Sequence, residues 1–109
     1  MAKLVVGELA PTSPFDSATV LYTLQGMQAF DSLAVDGAGY VCAATLVNGG
    51  ITVVSPDGSS VEHIPTGDFA TTNICFGGDD LRTAYVTLGR SGRLVRTSWP
   101  RAGLRLAHQ

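Results

Sequence analysis

The sequence predicts an all-β protein built from two repeated four-stranded antiparallel units, and three observations carry that prediction. The segment Phe30-Asp31-Ser32-Leu33-Ala34-Val35-Asp36-Gly37 through Val53 is echoed, about 42 residues later, by Thr72-Asn73-Ile74-Cys75-Phe76-Gly77-Gly78 through Val95. Short apolar runs alternate with turns rich in Gly, Asp, Asn and Pro, the pattern of short strands joined by tight connections. No window combines a sustained helical apolar period with caps, so helices are not expected.

The echo holds residue by residue. Leu33 falls opposite Ile74, Val35 opposite Phe76, Gly37 opposite Gly78, Cys42 opposite Tyr85, Gly50 opposite Gly92 and Val53 opposite Val95, with the drift in offset falling in turns. A period in the low forties is the length of one propeller blade, a unit that cannot bury its apolar faces alone. The chain therefore reads as two four-stranded antiparallel blades of a β-propeller preceded by an N-terminal strand.

Residues 1–26 form a connector and an outer strand. Pro11-Thr12-Ser13-Pro14-Phe15-Asp16-Ser17 is turn-rich, and residues 18–24 are β-branched and aromatic, as expected for the outer strand of a preceding blade. The first blade spans residues 27–70. Its inner strand is expected at 32–35, followed by an Asp36-Gly37-Ala38-Gly39 turn whose glycines permit positive φ. A strand at 40–45, a turn at Asn48-Gly49-Gly50, a strand at 51–55, the Pro56-Asp57-Gly58-Ser59 turn and a strand at 60–64 ending at Pro65 complete it. The second blade spans 71–109, with strands expected at 73–76, 83–87, 92–97 and 104–107.

Composition narrows the function. The chain has 109 residues, 15% of them charged, and a net charge of −2, so it offers no basic field for nucleic acid or an anionic membrane. No stretch approaches the roughly 20 apolar residues of a membrane helix, and residues 1–7 are too short for the apolar part of a signal peptide. A cytoplasmic location is the expectation. Cys42 and Cys75 fall in apolar strands and are expected to be buried, reduced thiols.

Three passages carry a family resemblance: residues 30–36, the run Val61-Glu62-His63-Ile64-Pro65, and above all residues 72–87. They resemble the C-terminal part of the gluconolactonase, regucalcin (senescence marker protein) and luciferin-regenerating-enzyme family, and Trp99-Pro100-Arg101-Ala102-Gly103-Leu104 resembles its ending. The resemblance implies a six-bladed propeller, of which this chain would be one third. It also implies lactone hydrolysis assisted by a divalent metal, often calcium, at one mouth of the central channel.

Of the metal ligands implied by the resemblance, the late-blade aspartate carries over onto Asp31, as metal ligand and as catalytic base. A glutamate and two asparagines from earlier blades have no match. Glu8 lacks the surrounding residues, and Ser32 stands where the family has glycine. Hard cations want several oxygen ligands, so one chain with one carboxylate points to assembly. Three chains of two blades would close a ring of six. Three Asp31 carboxylates would then converge, with Thr72 and Asn73 from alternate blades as substrate-binding residues for a small lactone or sugar acid.

The other polar residues read as structural. His63 and His108 belong to outer strands, Asp79 and Asp80 to a turn, and Asp57-Gly58-Ser59-Ser60 lacks the ligand pattern of a calcium loop. Arginines concentrate in the second unit, as on a solvated face. Two functions follow from different classes: a metal-dependent lactone hydrolase active as a homo-oligomer, a trimer on blade count, or a truncated propeller that serves as a non-catalytic binding or interaction module.

Overall fold

The computed structural model describes residues 3–6 and 19–106. All its regular structure is strand: β1 (Lys3–Val6), β2 (Thr19–Thr23), β3 (Ala29–Val35), β4 (Val41–Leu46), β5 (Gly50–Val54), β6 (Val61–Pro65), β7 (Thr71–Gly77), β8 (Thr83–Leu88) and β9 (Arg93–Ser98). They form three antiparallel sheets: the β1-β2 pair, a four-stranded meander β3-β4-β5-β6, and a three-stranded meander β7-β8-β9. The all-β class and the blade-like meanders are as the sequence predicts. Residues 7–18, including Glu8 and the proline-rich connector, and residues 107–109, including His108, lie outside the described residues.

The middle sheet is covered on both faces. Cys42, Ala44, Ile51 and Val53 meet Ile74, Ala84, Val86, Leu88 and Trp99 of the third layer. On the opposite face, Ala43 and Val54 pack with Leu4, Leu21, Tyr22 and Phe30. The sequence shows the difference in layer position. Val41-Cys42-Ala43-Ala44-Thr45-Leu46 has no alternation because β4 is buried from both sides, whereas Thr83-Ala84-Tyr85-Val86-Thr87-Leu88 alternates because only one face of β8 is covered. Ile51 and Ile74 are 1% and 2% exposed, each contributing about 1.5–3 kcal/mol by burial.

Three sequence expectations are corrected. No strand occurs at 104–106, so the described third sheet lacks an outer strand. After β9 the chain turns back across both sheets: Trp99 N–H donates to Arg82 C=O at 2.7 Å, Gly103 N–H to Leu81 C=O at 2.8 Å, Gly37 N–H to Ala102 C=O at 2.8 Å and Leu104 N–H to Val35 C=O at 3.1 Å. A side chain at Gly103 would run into Phe76, so the crossing requires glycine. Bonding to two sheets at once holds this segment away from the free edge of β9.

The second correction concerns the repeat. Val35 pairs with Val41 and Gly77 with Thr83, a uniform 42-residue offset that puts Asn73, not Thr72, at the place of Asp31. Four residues lie between the paired Thr45 and Gly50, but six between the paired Thr87 and Leu94. The β8-β9 ladder runs one pair further, to Leu88 and Arg93, before a turn of the same four-residue length, which shifts β9 relative to the alignment through Gly50 and Gly92. The third correction is Cys75, which is exposed while Cys42 is buried. It points to the uncovered face of β7, beside Tyr85.

Candidate functional site

The two inner strands β3 and β7 lie side by side and start at the same end of the layers. That end is assembled from Ala29 paired with Leu46, Leu46 bridged to Ala70, Thr71 paired with Leu88, and Gly89 N–H bonded to Ala70 C=O at 2.8 Å. Each inner strand carries the same irregularity near its start, between Phe30 and Leu33 in β3 and between Thr71 and Asn73 in β7. Such bulges re-aim side chains and recur beside active sites.

Asp31 sits in the first bulge and is exposed. Among the described residues its carboxylate has no hydrogen-bond or ion-pair partner. Asn73, at the equivalent place, is also exposed, and its side-chain oxygen accepts Ile74 N–H at 2.8 Å, leaving the amide N–H groups for a ligand. Thr72 is half-buried, and its hydroxyl is hydrogen-bonded to that of Thr87 at 2.7 Å. The structure thus brings Asp31 and Asn73 to matching places on adjacent strands and ties Thr72 into the sheet.

Below this end, an apolar groove of about 440 Å³ runs along the inner strands. Its walls include Leu33, Asn73, Cys75 and Phe76, with Leu104 and Leu106 from the returning C-terminal segment. The groove has an apolar body and, in Asn73, a polar group at its lining, the usual composition of a small-molecule site.

Asp68 was not singled out from the sequence. It is 4% exposed, and its carboxylate accepts Ala70 N–H at 2.8 Å, Ser91 N–H and Ser91 Oγ–H both at 2.9 Å, and Arg90 N–H at 3.3 Å. Burial opposes its charge, but these four donors together outweigh burial and hold its pKa below the ordinary carboxylate range. It clamps the β8-β9 turn to the connector between sheets. Asp57 has the local role expected of it: the Ser59 hydroxyl first, then Ser59 N–H and the Ser55 hydroxyl, lower its pKa to about 2.

Asp80 likewise accepts Arg82 N–H at 3.0 Å within its own turn. His63 lies in the edge strand β6, half-buried, with Nε2 lacking a partner among the described residues.

Among the described residues no three His, Cys, Asp or Glu side chains are grouped to hold a metal ion. One carboxylate and one amide already engaged by its own backbone do not fit the six to eight oxygens a calcium ion takes. The described residues of one chain do not make the site.

Residues 2–90 match the family model described as the SMP-30/gluconolactonase/LRE-like region. The chain belongs to this family. The match takes in β1 and β2, upstream of the passages that carry the resemblance in sequence, so the N-terminal hairpin is part of the gluconolactonase-like region. The chain is also similar to a 6-deoxy-6-sulfogluconolactonase of Pseudomonas putida, 36% identical over 75 residues that cover 67% of this chain and 26% of that relative. It thus spans about a quarter of the length of the lactonase it matches. Among the described residues no helix is long and apolar enough to cross a membrane.

Proposed function

We propose that the chain forms one wall of a lactone-hydrolysing mouth in an assembled propeller, with Asp31 as its reacting residue. One observation carries this reading: an exposed carboxylate without a partner among the described residues, in a bulge of the inner strand β3, with Asn73 at the equivalent place beside the bulge of β7. Asp31 takes a proton from a water that attacks the lactone carbonyl carbon. The ring C–O bond then breaks, and the leaving alkoxide recovers a proton to give the open hydroxy acid. Asn73 N–H groups contact the substrate, and Thr72, bonded to Thr87, fixes the strand that presents them.

A divalent cation, calcium by the family's habit, would take Asp31 as its charged ligand from this chain, with the rest of its shell from other copies. Three chains of this kind supply three such carboxylates. The named lactonase relative supports sugar lactones as the substrate class.

The test pairs mass with turnover. Sedimentation equilibrium identifies the assembled species, and hydrolysis of glucono-1,5-lactone by that species is measured with calcium, zinc or manganese for wild type and for Asp31→Asn. A trimer whose turnover falls at least about 100-fold in the variant is expected, within the range for loss of an acid-base group. Equal turnover by the two proteins, or a monomer without turnover under every condition, refutes the proposal.

A further inference from the structure

At the same end as Asp31 and Asn73, the β8-β9 turn projects a cation that no carboxylate among the described residues neutralises. Arg90 is exposed, and its guanidinium lies over the Phe69 ring, 4.9 Å from the centroid. Phe69 itself is 52% exposed. Among the described residues the ion pair formed is Arg101 with Asp36, and no carboxylate pairs with Arg90.

Three features show that this cation is positioned. Arg90 and Ser91 stand on the four-residue turn closed by the paired Leu88 and Arg93. Their backbone N–H groups are both held by buried Asp68, which fixes the turn from beneath. Ser91 Oγ, donating to Asp68, also accepts Arg93 Nε–H at 3.1 Å, so a second guanidinium is fastened to the same turn. The acid beneath is saturated by four donors, and two arginines above it carry the surplus positive charge. A guanidinium resting on an aromatic face keeps its N–H edge free for an oxyanion, at lower conformational cost than a mobile side chain.

We propose that Arg90, seated on Phe69, is an anion subsite that selects lactones bearing an anionic substituent over neutral ones. The shared chemistry is an oxyanion, whether sulfonate, carboxylate or phosphate. The inference rests on the lactone reading for its substrate, but the binding step can be tested without turnover.

Methanesulfonate and its neutral counterpart dimethyl sulfone are titrated into the full chain at constant ionic strength, following the amide signals of Phe69, Arg90 and Ser91 by NMR. Saturable shifts with methanesulfonate, absent with dimethyl sulfone, are expected. Arg90→Gln weakens binding about tenfold, the worth of one charge-assisted hydrogen bond, and Phe69→Leu weakens it about threefold by removing the platform. Acetate and inorganic phosphate in parallel arms rank the oxyanions. Identical shifts with the charged and neutral probes overturn the subsite, as does an Arg90→Gln protein with dispersed, folded signals and wild-type affinity. Binding that depends on Arg90 in a protein without lactone turnover sinks the hydrolase reading and leaves the subsite standing.

Discussion

Replacing Asp36 by asparagine tests whether one buried ion pair fastens the C-terminal segment to the middle sheet. Asp36 is fully buried. Its Oδ1 accepts Ala38 N–H at 2.9 Å and Tyr40 N–H at 3.0 Å, while Oδ2 takes Arg101 Nε–H at 2.5 Å. The guanidinium also sits 4.0 Å from the Tyr40 ring centroid, and its hydrogen bond to Asp36 raises an already high Arg101 pKa. Asparagine keeps the Oδ1 acceptor for both turn N–H groups and presents a donor to Arg101. The substitution therefore isolates the ion pair.

Breaking a fully buried pair costs about 3–5 kcal/mol, but the Arg101 side chain is 32% exposed, which places Asp36→Asn at about 2–3 kcal/mol. Arg101→Met, which keeps the stem over Tyr40 and strands the carboxylate, is expected to cost about the same. The double variant should lose about 3 kcal/mol, a coupling of about 2 kcal/mol. Urea unfolding of all four proteins measures the cycle, and each single variant should melt roughly 10–20 °C lower. Single losses that add to within about 0.5 kcal/mol would falsify the claim that the pair acts as one fastening.

The two thiols should behave oppositely. Burial first, and the nearby Asp36 carboxylate second, push the Cys42 pKa up to about 12, so a thiol reagent at pH 8 is expected to label Cys75 alone; labelling of both in the folded protein refutes the burial. Because the Cys42 pKa is raised in the fold, its contribution is whole below the ordinary value of 9.0 and is lost as pH rises toward about 12. Cys42→Ala should flatten the fall in stability across that window. Val47, β-branched and at φ 76°, occupies a conformation that costs such residues about 1–2 kcal/mol; Val47→Asn is expected to raise unfolding stability by about 1 kcal/mol, and unchanged stability refutes the strain.

Strand order and layer position were legible because they depend on local signals. The unbroken apolar run of β4, the alternation of β8 and the Gly-containing turns each follow from a few adjacent residues. The C-terminal crossing was not legible: Leu104 to Leu106 has the apolar pattern of a strand, and only the partners Val35, Gly37 and Leu81 decide otherwise. Asp68 escaped for a similar reason. Thr66-Gly67-Asp68 reads as an ordinary turn, while the N–H groups it binds lie 22 and 23 residues away. The matching bulges of β3 and β7 were hidden as well, since one extra residue in a strand leaves no mark in composition.

The case for self-association also changes ground once the faces are seen. Two blades cut from a ring would be expected to show an apolar face on each side. One face of the middle sheet is instead covered by the β1-β2 hairpin through Leu4, Leu21 and Tyr22. The uncovered face of the third sheet presents Asn73, Cys75, Thr83, Tyr85, Thr87, Arg96 and Ser98, a mostly polar set, with Leu94, 68% exposed, as an apolar member. Among the described residues, exposed apolar side chains gather along the inner strands, where Leu33, Leu104 and Leu106 are 47%, 49% and 62% exposed around one groove. Association driven by burial would therefore act on the wall below the Asp31 end, where the exposed apolar side chains share one groove. A contact that closed there would also bring further copies of Asp31 toward one another, which is the condition the proposed chemistry requires.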